Sequence, residues 1–343
     1  MSKNKKVSDK PKLNDIKQLY TLANEFIEIA PWNWMNEQDC FSIKTPYSDE
    51  RVYCCVFGLE GIEFGINAYI GTDGLMFYTK ILTGEAEKNP AFTLEMDAFV
   101  LLLEDKEDIE KDSLKCLQKS GVKYSDDKIP NIQRYKPGVF PRNLNANETK
   151  IMICIIEQVI EVTKRVIIEP RLLNKKGGKI FTRVLEEKNG EKIWHDEYLE
   201  PVEVDAADMI LRISPEQMFD LKSECEIIDE EWHYGSFISP HPVKEGNKEP
   251  YFPRVVICVS GNNPEMLVDM FLIKANEKDK NIQKHFIDTF NKLGVIPKSV
   301  KTKPEKVFFQ LATIAQFLNV DFDMKIKLPE IEDAINYLAN MPG

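Results

Sequence analysis

Apolar side chains recur along the chain with two different periods, and these periods predict the order of helices and strands. A spacing of three and four residues predicts helices over 13–27, 148–168 and 331–338. Apolar runs bounded by glycine turns predict strands at 40–44, 51–57 and 63–70. The first part of the chain is therefore expected to be a sheet flanked by helices.

Residues 122–146 interrupt this pattern. Pro130, Pro137 and Pro141 break regular elements, so the segment is expected to be irregular. Asn147 is expected to cap the long helix that follows, because asparagine accepts hydrogen bonds from the first free N–H groups of a helix.

The stretch Pro250–Leu328 has the most regular pattern in the chain. Arg254–Ser260 and Leu267–Lys274 are apolar runs separated by a turn, and together they predict a β-hairpin. A helix ended by Gly294, a short strand and a second helix follow. This order predicts a layered α/β unit.

Within that stretch, Ile257 lies on the first predicted strand and Leu311 on the last predicted helix, so both are expected to be buried. Ser260 is expected where the strand gives way to a turn. Thr302 and Glu305 have the spacing of a capping box for the last helix. Two shorter runs, Cys225–Ile228 and Trp232–Ile238, predict separate strands ahead of the stretch.

A chain of 343 residues exceeds one typical core, so two domains are predicted. The predicted class is α+β, with two domains that are each a mostly antiparallel or mixed sheet flanked by helices. The predicted segments are a disordered basic tail over 1–12, an N-terminal α+β domain over 13–170, a linker over 171–178 and a C-terminal α/β domain over 179–343 that begins with hairpins.

Composition argues against several classes of protein, namely those that bind nucleic acid or zinc, contain disulfides or span a membrane. The net charge is -11 with both signs well mixed, which argues against a nucleic-acid partner. The seven cysteines include no C-x-x-C pair, so neither a zinc site nor a disulfide framework is predicted, and a reducing cytoplasm fits. No apolar run approaches the roughly 20 residues of a membrane span. The expectation is a cytoplasmic protein without a cofactor or metal.

Five side chains stand out as a possible ligand or partner surface: Trp32, Trp34, His233, His241 and Asp269. The two tryptophans either form an aromatic lip or close the core over the first helix. The two histidines lie near Cys225, Asp229 and Glu231, so a metal cluster is one alternative and hydrogen-bonded histidines are the other.

The chain also resembles an uncharacterised bacterial two-domain family of domains of unknown function, in segments that read PWNWMNEQDCFSIKTPYSDERVYCCVFGLEGIEFGINAYIGTDGL, KPGVFPRNLNANETKIMICIIEQV and EPYFPRVVICVSGN. Some members of such families are joined to a small metal-binding module of the SEC-C type, and no such cysteine cluster precedes Gly343. The resemblance implies a fold and no activity.

The order of elements over 254–323 is similar to the core of ribonuclease H-like integrases. That resemblance implies carboxylates on the first strand and after a later strand, which would hold two metal ions for phosphoryl transfer. The matching positions here are Ser260 and Lys301–Lys303, which offer no carboxylate. The resemblance therefore implies a ribonuclease H-like C-terminal domain without its chemistry.

A non-catalytic binding or adaptor protein is the leading expectation, with an unknown protein or small-molecule partner and an open oligomeric state. One alternative is a metal-dependent nuclease or phosphoryl-transfer enzyme with a rearranged ribonuclease H-like site. The other is a small-molecule hydrolase that uses the interdomain cleft.

Overall fold

The structure, a computed structural model, describes most of the chain. The described residues are 10–59, 61–84, 91–124, 128–188, 191–201, 213–246, 249–263, 266–275, 282–303, 305–325 and 327–339. Residues 1–9 of the predicted disordered tail lie outside them. No helix in this part of the chain is long and apolar enough to cross a membrane.

The helices, numbered in chain order, are α1 Leu13–Ile29, α2 Gly71–Leu82, α3 Lys111–Ser120, α4 Ala146–Ile168, α5 Pro215–Glu224, α6 Ile282–Leu293, α7 Lys306–Leu318 and α8 Pro329–Ala339. The strands are β1 Phe41–Lys44, β2 Val52–Phe57, β3 Gly65–Ile70, β4 Ala98–Asp105, β5 Lys128–Lys136, β6 Val139–Arg142, β7 Ile180–Lys188, β8 Glu191–Leu199, β9 Glu226–Ile238, β10 Pro253–Ser260, β11 Leu267–Lys274, β12 Val295–Thr302 and β13 Asp321–Met324.

The chain forms two compact units, and the α+β class with two flanked sheets is confirmed. The first unit takes described residues from Met1–Ala86, Met96–Lys136 and Phe140–Val202. The second takes them from Glu87–Glu95, Pro137–Val139 and Glu203–Gly343.

An eight-stranded sheet in the order β6-β5-β4-β3-β2-β1-β7-β8 builds the first unit. The β1–β7 pair is parallel, and the pairs from β1 to β5 along the sheet are antiparallel. Helices α1 and α4 pack side by side and bury Phe26 and Ile155 against sheet residues such as Phe41. This apolar core forms because alternate residues of each strand face the helices.

The segment 122–146 is not irregular, so that expectation was wrong. It contains β5, which pairs with β4 from Lys128 to Tyr135, and the short strand β6. Pro137 lies between the two strands, and Pro141 lies in β6 at the edge of the sheet, where proline is tolerated. The cap of α4 is Asn145 rather than Asn147, and its side chain accepts from the backbone N–H of Glu148 at 2.9 Å.

The hairpin β7–β8 belongs to the first sheet, although the sequence placed it at the start of the C-terminal domain. Strand β7 pairs with β1, and Ser42 and Thr182 share a buried hydrogen bond of 2.8 Å. Arg165 of α4 donates to both carboxylate oxygens of Asp196, at 3.1 and 2.6 Å. These contacts join residues far apart in the sequence, so local patterns did not reveal them.

A five-stranded sheet in the order β11-β10-β9-β12-β13 builds the second unit. The pairs β11–β10 and β10–β9 are antiparallel, whereas β9–β12 and β12–β13 are parallel. The predicted order of hairpin, helix, strand and helix is confirmed as β10, β11, α6, β12 and α7. Strand β9 is continuous, with a register shift opposite Pro297 and Ser299, where two separate strands were expected. The charged residues 229–231 interrupt the apolar run, so the sequence pattern predicted two strands.

Helices cover both faces of this sheet. On one face, α6 and α7 bury Phe290 and Leu311 against Trp232. On the other face, Ile331 of α8 packs against Ile257. The predicted burial of Ile257 and Leu311 is confirmed, since neither side chain is exposed to solvent.

The predicted capping box of α7 is absent. Thr302 is the last residue of β12, and Glu305 precedes α7 without a side-chain capping hydrogen bond.

Candidate functional site

Two parallel strands of the second unit place a group of polar side chains under α8. The register of β9 and β12 sets Glu231 opposite Ser299 and His233 opposite Lys301. Alternate residues of a strand share a face, so these side chains lie on one face of the sheet. Glu330 reaches them from the first turn of α8. Together these five residues are called the His233 cluster below.

Glu231 is the acceptor at the centre of the His233 cluster. Lys301 Nζ and His233 Nε2 lie 2.7 Å from its Oε1, and Ser299 Oγ donates to its Oε2 at 3.2 Å. Partial burial opposes ionisation, but hydrogen bonds from Lys301, His233 and Ser299 outweigh it and lower the pKa of Glu231 to about 2. Glu231 is therefore a carboxylate that only accepts hydrogen bonds at physiological pH.

His233 lies between two carboxylates. It is buried, with 4% of its surface exposed. Its Nε2 contacts Glu231, while its Nδ1 lies 3.5 Å from Glu330 Oε2 and has no hydrogen-bond partner. A Cβ at Gly261 would come within 2.8 Å of Nε2, so glycine leaves room for this imidazole position. Because Glu231 can only accept, Nε2 must be the protonated nitrogen.

A second polar contact reaches α8 from the end of β12. Lys303 follows β12, and its Nζ lies 3.0 Å from Glu332 Oε1 on α8. The first turn of α8 therefore makes two polar contacts with the sheet, one to His233 and one to Lys303.

The structure corrects the strand assignment behind the integrase comparison. The strand beside β12 is β9, whereas β10 and its last residue Ser260 lie one strand further away. A carboxylate, Glu231, does therefore lie next to the later strand. Ser299 lies opposite Glu231, and Lys301, two residues further along β12, already binds that carboxylate through its ammonium group.

The two tryptophans of the first unit pack against the core. Trp32 contacts the rings of Phe26 and Phe64, with centroids 5.6 and 5.1 Å away. The indole N–H of Trp34 donates to the backbone oxygen of Thr163 at 3.3 Å. Both are half-buried, which fits the core alternative better than an aromatic lip.

His241 and Asp269 lie apart from the His233 cluster in their contacts. His241 is exposed, and its backbone N–H donates to Ser239 Oγ at 3.2 Å. Asp269 of β11 accepts from Thr289 Oγ1 and pairs with Lys292 at 3.1 Å.

The proposed cluster of His233 and His241 with Cys225, Asp229 and Glu231 does not converge. Asp229 is exposed and pairs with Lys298 at 2.9 Å, while the Cys225 thiol donates to the backbone of Phe290. Across the described residues, no group of three or more His, Cys, Asp or Glu side chains is placed to hold a metal ion.

Sequence reasoning missed an exposed apolar surface on β11. Among the described strands, β11 is an edge of its sheet, with β10 on one side. Leu267, Met270 and Leu272 on this strand are each about half exposed, at 48%, 47% and 56%. A cleft of about 310 Å³ lies beside the strand and is lined in part by Val243, Tyr251, Pro253, Leu272 and Lys274. The strand had been predicted, and only its position at the edge leaves these side chains exposed.

The fold and these sites define a two-unit α+β protein, and family comparisons also find two successive domains in the chain. Residues 17–183 match the family model of a domain of unknown function (DUF7309), and residues 218–339 match that of another (DUF6930). Neither description mentions a SEC-C module or a ribonuclease H-like domain. Comparisons with curated proteins and with solved structures found no match.

Proposed function

We propose that this chain is a non-catalytic cytoplasmic binding protein, whose second unit has a ribonuclease H-like arrangement without the corresponding chemistry. The succession of a hairpin, a helix, a strand and a helix supports the arrangement, with β9 in place of β10 as the strand beside β12. The hydrogen bonds of Glu231 to Lys301, His233 and Ser299 support the absence of metal-dependent phosphoryl transfer.

Electrostatics explains why Glu231 is a poor ligand for Mg²⁺. A two-metal site needs carboxylate oxygens that are free to converge on the cations. Here one oxygen is 2.7 Å from the Lys301 ammonium group, and the other accepts from Ser299. A divalent cation at this carboxylate would also lie close to a fixed positive charge, which repels it.

No Mg²⁺- or Mn²⁺-dependent cleavage of single- or double-stranded nucleic acid is expected from the purified protein. The measurement is a gel assay with end-labelled DNA and RNA, with Glu231→Gln protein as the matched control. Cleavage by the unmodified protein that disappears in Glu231→Gln would establish the rearranged nuclease site instead.

The surface that supports binding is the exposed edge of β11. An edge strand offers backbone N–H and C=O groups on its outer side, and an extended peptide can pair with them as an added strand. Met270 and Leu272 provide apolar contacts next to that edge, and methionine adapts its shape to different partners. The cleft beside Leu272 offers a pocket for one side chain of the peptide. We therefore propose an extended, partly apolar peptide segment as the ligand.

The test selects peptides from a phage-displayed random library on the full-length protein and measures their affinity. Leu272→Lys is expected to weaken binding about tenfold or more, because a charge replaces an apolar contact next to the edge. Leu59→Lys is the matched control, since Leu59 is 58% exposed in a turn of the first unit and Leu272 is 56% exposed. The proposal fails if no peptide is enriched, or if both variants bind the selected peptides as tightly as the unmodified protein.

A further inference from the structure

Helix α8 is held against its sheet by apolar residues along its length, from Ile331 to Leu338, and by the polar contacts of its first turn. Ile331 is buried against Phe237, Val255 and Ile257. The helix approaches so closely that a Cβ at Gly235 would lie 2.1 Å from Ile331 Cγ2. In the first turn of α8, Glu330 faces His233 and Glu332 faces Lys303. The first turn of α8 therefore adds two polar contacts to the apolar contact of the helix.

The contact between His233 and Glu330 is favourable in only one protonation state. Because Nε2 carries a proton toward Glu231, Nδ1 of a neutral imidazole presents a bare lone pair. An ionised Glu330 also offers only lone pairs, so the two groups repel each other at 3.5 Å. When Nδ1 takes up a proton, the same geometry becomes an ion pair with a charge-assisted hydrogen bond.

The charges around the imidazole lead to the same conclusion. The groups that face it are Glu231 on its own strand, Lys301 on β12 and Glu330 on α8, and the ion pairs Lys303–Glu332 and Lys325–Asp323 lie beside them. With a neutral imidazole, these four carboxylates and three ammonium groups leave one negative charge in excess. A protonated His233 balances the set. The turn at Gly261 and the neighbouring residue Val259 of β10 add no charge.

We infer that His233 links the docking of α8 to the uptake of one proton. With the imidazolium present, α8 is held on the sheet through Glu330. When the proton is lost, the Glu330 contact becomes repulsive and the first turn of α8 loosens.

Loosening α8 changes the surface next to β11. Val255 pairs with Leu272 and Ile257 pairs with Met270, and directly opposed residues in antiparallel strands share a face. The apolar residues under α8 are therefore continuous with the exposed residues of β11. The statement that this opening enlarges a peptide-binding surface rests on the proposed function. The proton linkage does not rest on it.

Hydrogen–deuterium exchange of the full-length protein at pH 5.5 and pH 8.0 tests the linkage. Exchange rates are divided by the intrinsic chemical rate at each pH, which gives protection factors for the α8 amides. One linked proton changes the docking equilibrium by at most tenfold per pH unit. The protection of α8 is expected to fall by about fivefold or more from pH 5.5 to pH 8.0. The amides of α4 serve as an internal reference for an intact fold.

Two variants of α8 separate the proton linkage from general charge effects. In Glu330→Gln the amide can donate to a bare Nδ1, so the protection of α8 should differ by less than about twofold between the two pH values. Glu332→Gln removes the same charge two residues away, where the partner is Lys303, and should retain the full pH dependence.

A constant protection in the unmodified protein, or an equal fall in Glu330→Gln, would overturn the inference. Loss of the pH dependence in Glu332→Gln would overturn it as well. Peptide binding is measured separately with Leu272→Lys, so failure of the proposed function and failure of this inference give different results.

Discussion

Truncation of Leu311 or Ile257 to alanine is expected to destabilise the second unit by about 2–5 kcal/mol, a large share of a typical domain's ~5–15 kcal/mol. Neither side chain is exposed, and they lie on opposite faces of the same sheet. Alanine would leave a cavity in each case, because close-packed neighbours collapse only partly into the space. The two variants therefore probe the two layers that cover the sheet.

Ser260→Ala is the control for this pair and is expected to cost less than about 1 kcal/mol. Ser260 is also buried, yet its Oγ accepts one long hydrogen bond, 3.3 Å from the Asn263 N–H, at the end of β10. Denaturant melts of the three variants measure how strongly each substitution destabilises the protein. If Ser260→Ala were the most destabilising of the three, the packing described for the two faces would be wrong.

Glu148→Ala is expected to destabilise the first unit by about 2–4 kcal/mol. Glu148 accepts two hydrogen bonds of 2.7 Å from Arg142 and one of 2.9 Å from the Asn145 N–H, which closes the capping box of α4. The cost lies below that of a fully buried pair, because Arg142 is 40% exposed and can reach water. Arg134, which is buried, would lose a 3.9 Å contact with Glu148 and keep its contact with Asp97.

Acid should reduce the difference in unfolding free energy between Glu148→Ala and the unmodified protein. Hydrogen bonds from Arg142 and Asn145 outweigh burial and lower the pKa of Glu148. A carboxylate with a lowered pKa stabilises the fold above its ordinary pKa, and this stabilisation is lost as pH falls through the folded value. Thermal melts between pH 7 and pH 3 measure the change.

Glu157→Ala provides the matched control on α4. Glu157 accepts one hydrogen bond, from Gln18 at 3.0 Å on the surface, and its loss is expected to cost below about 1 kcal/mol. If Glu148→Ala and Glu157→Ala lowered the unfolding free energy equally, the role assigned to the capping box and to Arg142 would be contradicted.

The elements that were predicted correctly have strong local signals. Helix α1 has an apolar stripe at helical spacing. The β10–β11 hairpin has two β-branched runs around a turn. Such signals depend on neighbours within a few residues, so they do not change with the positions of distant segments of the chain.

The His233 cluster could be anticipated only in part. His233 was singled out and Glu231 was noted nearby, but Ser299 and Glu330 were not considered. Ser299 reaches Glu231 only because β12 lies beside β9 in one particular register, and Glu330 arrives only because α8 returns to the same face. A shift of that register by one residue would turn Lys301 to the other face of the sheet.

The sequence by itself determined the α+β class, most helix and strand positions, and the burial of Ile257 and Leu311, because side-chain periodicity is a local property of the chain. The tertiary structure decided which sheet receives the β7–β8 hairpin, which strand lies beside β12, and which residues surround His233. These features depend on pairing and charge contacts between distant segments. Such contacts are chosen by the total free energy of packing and not by the pattern of any one segment.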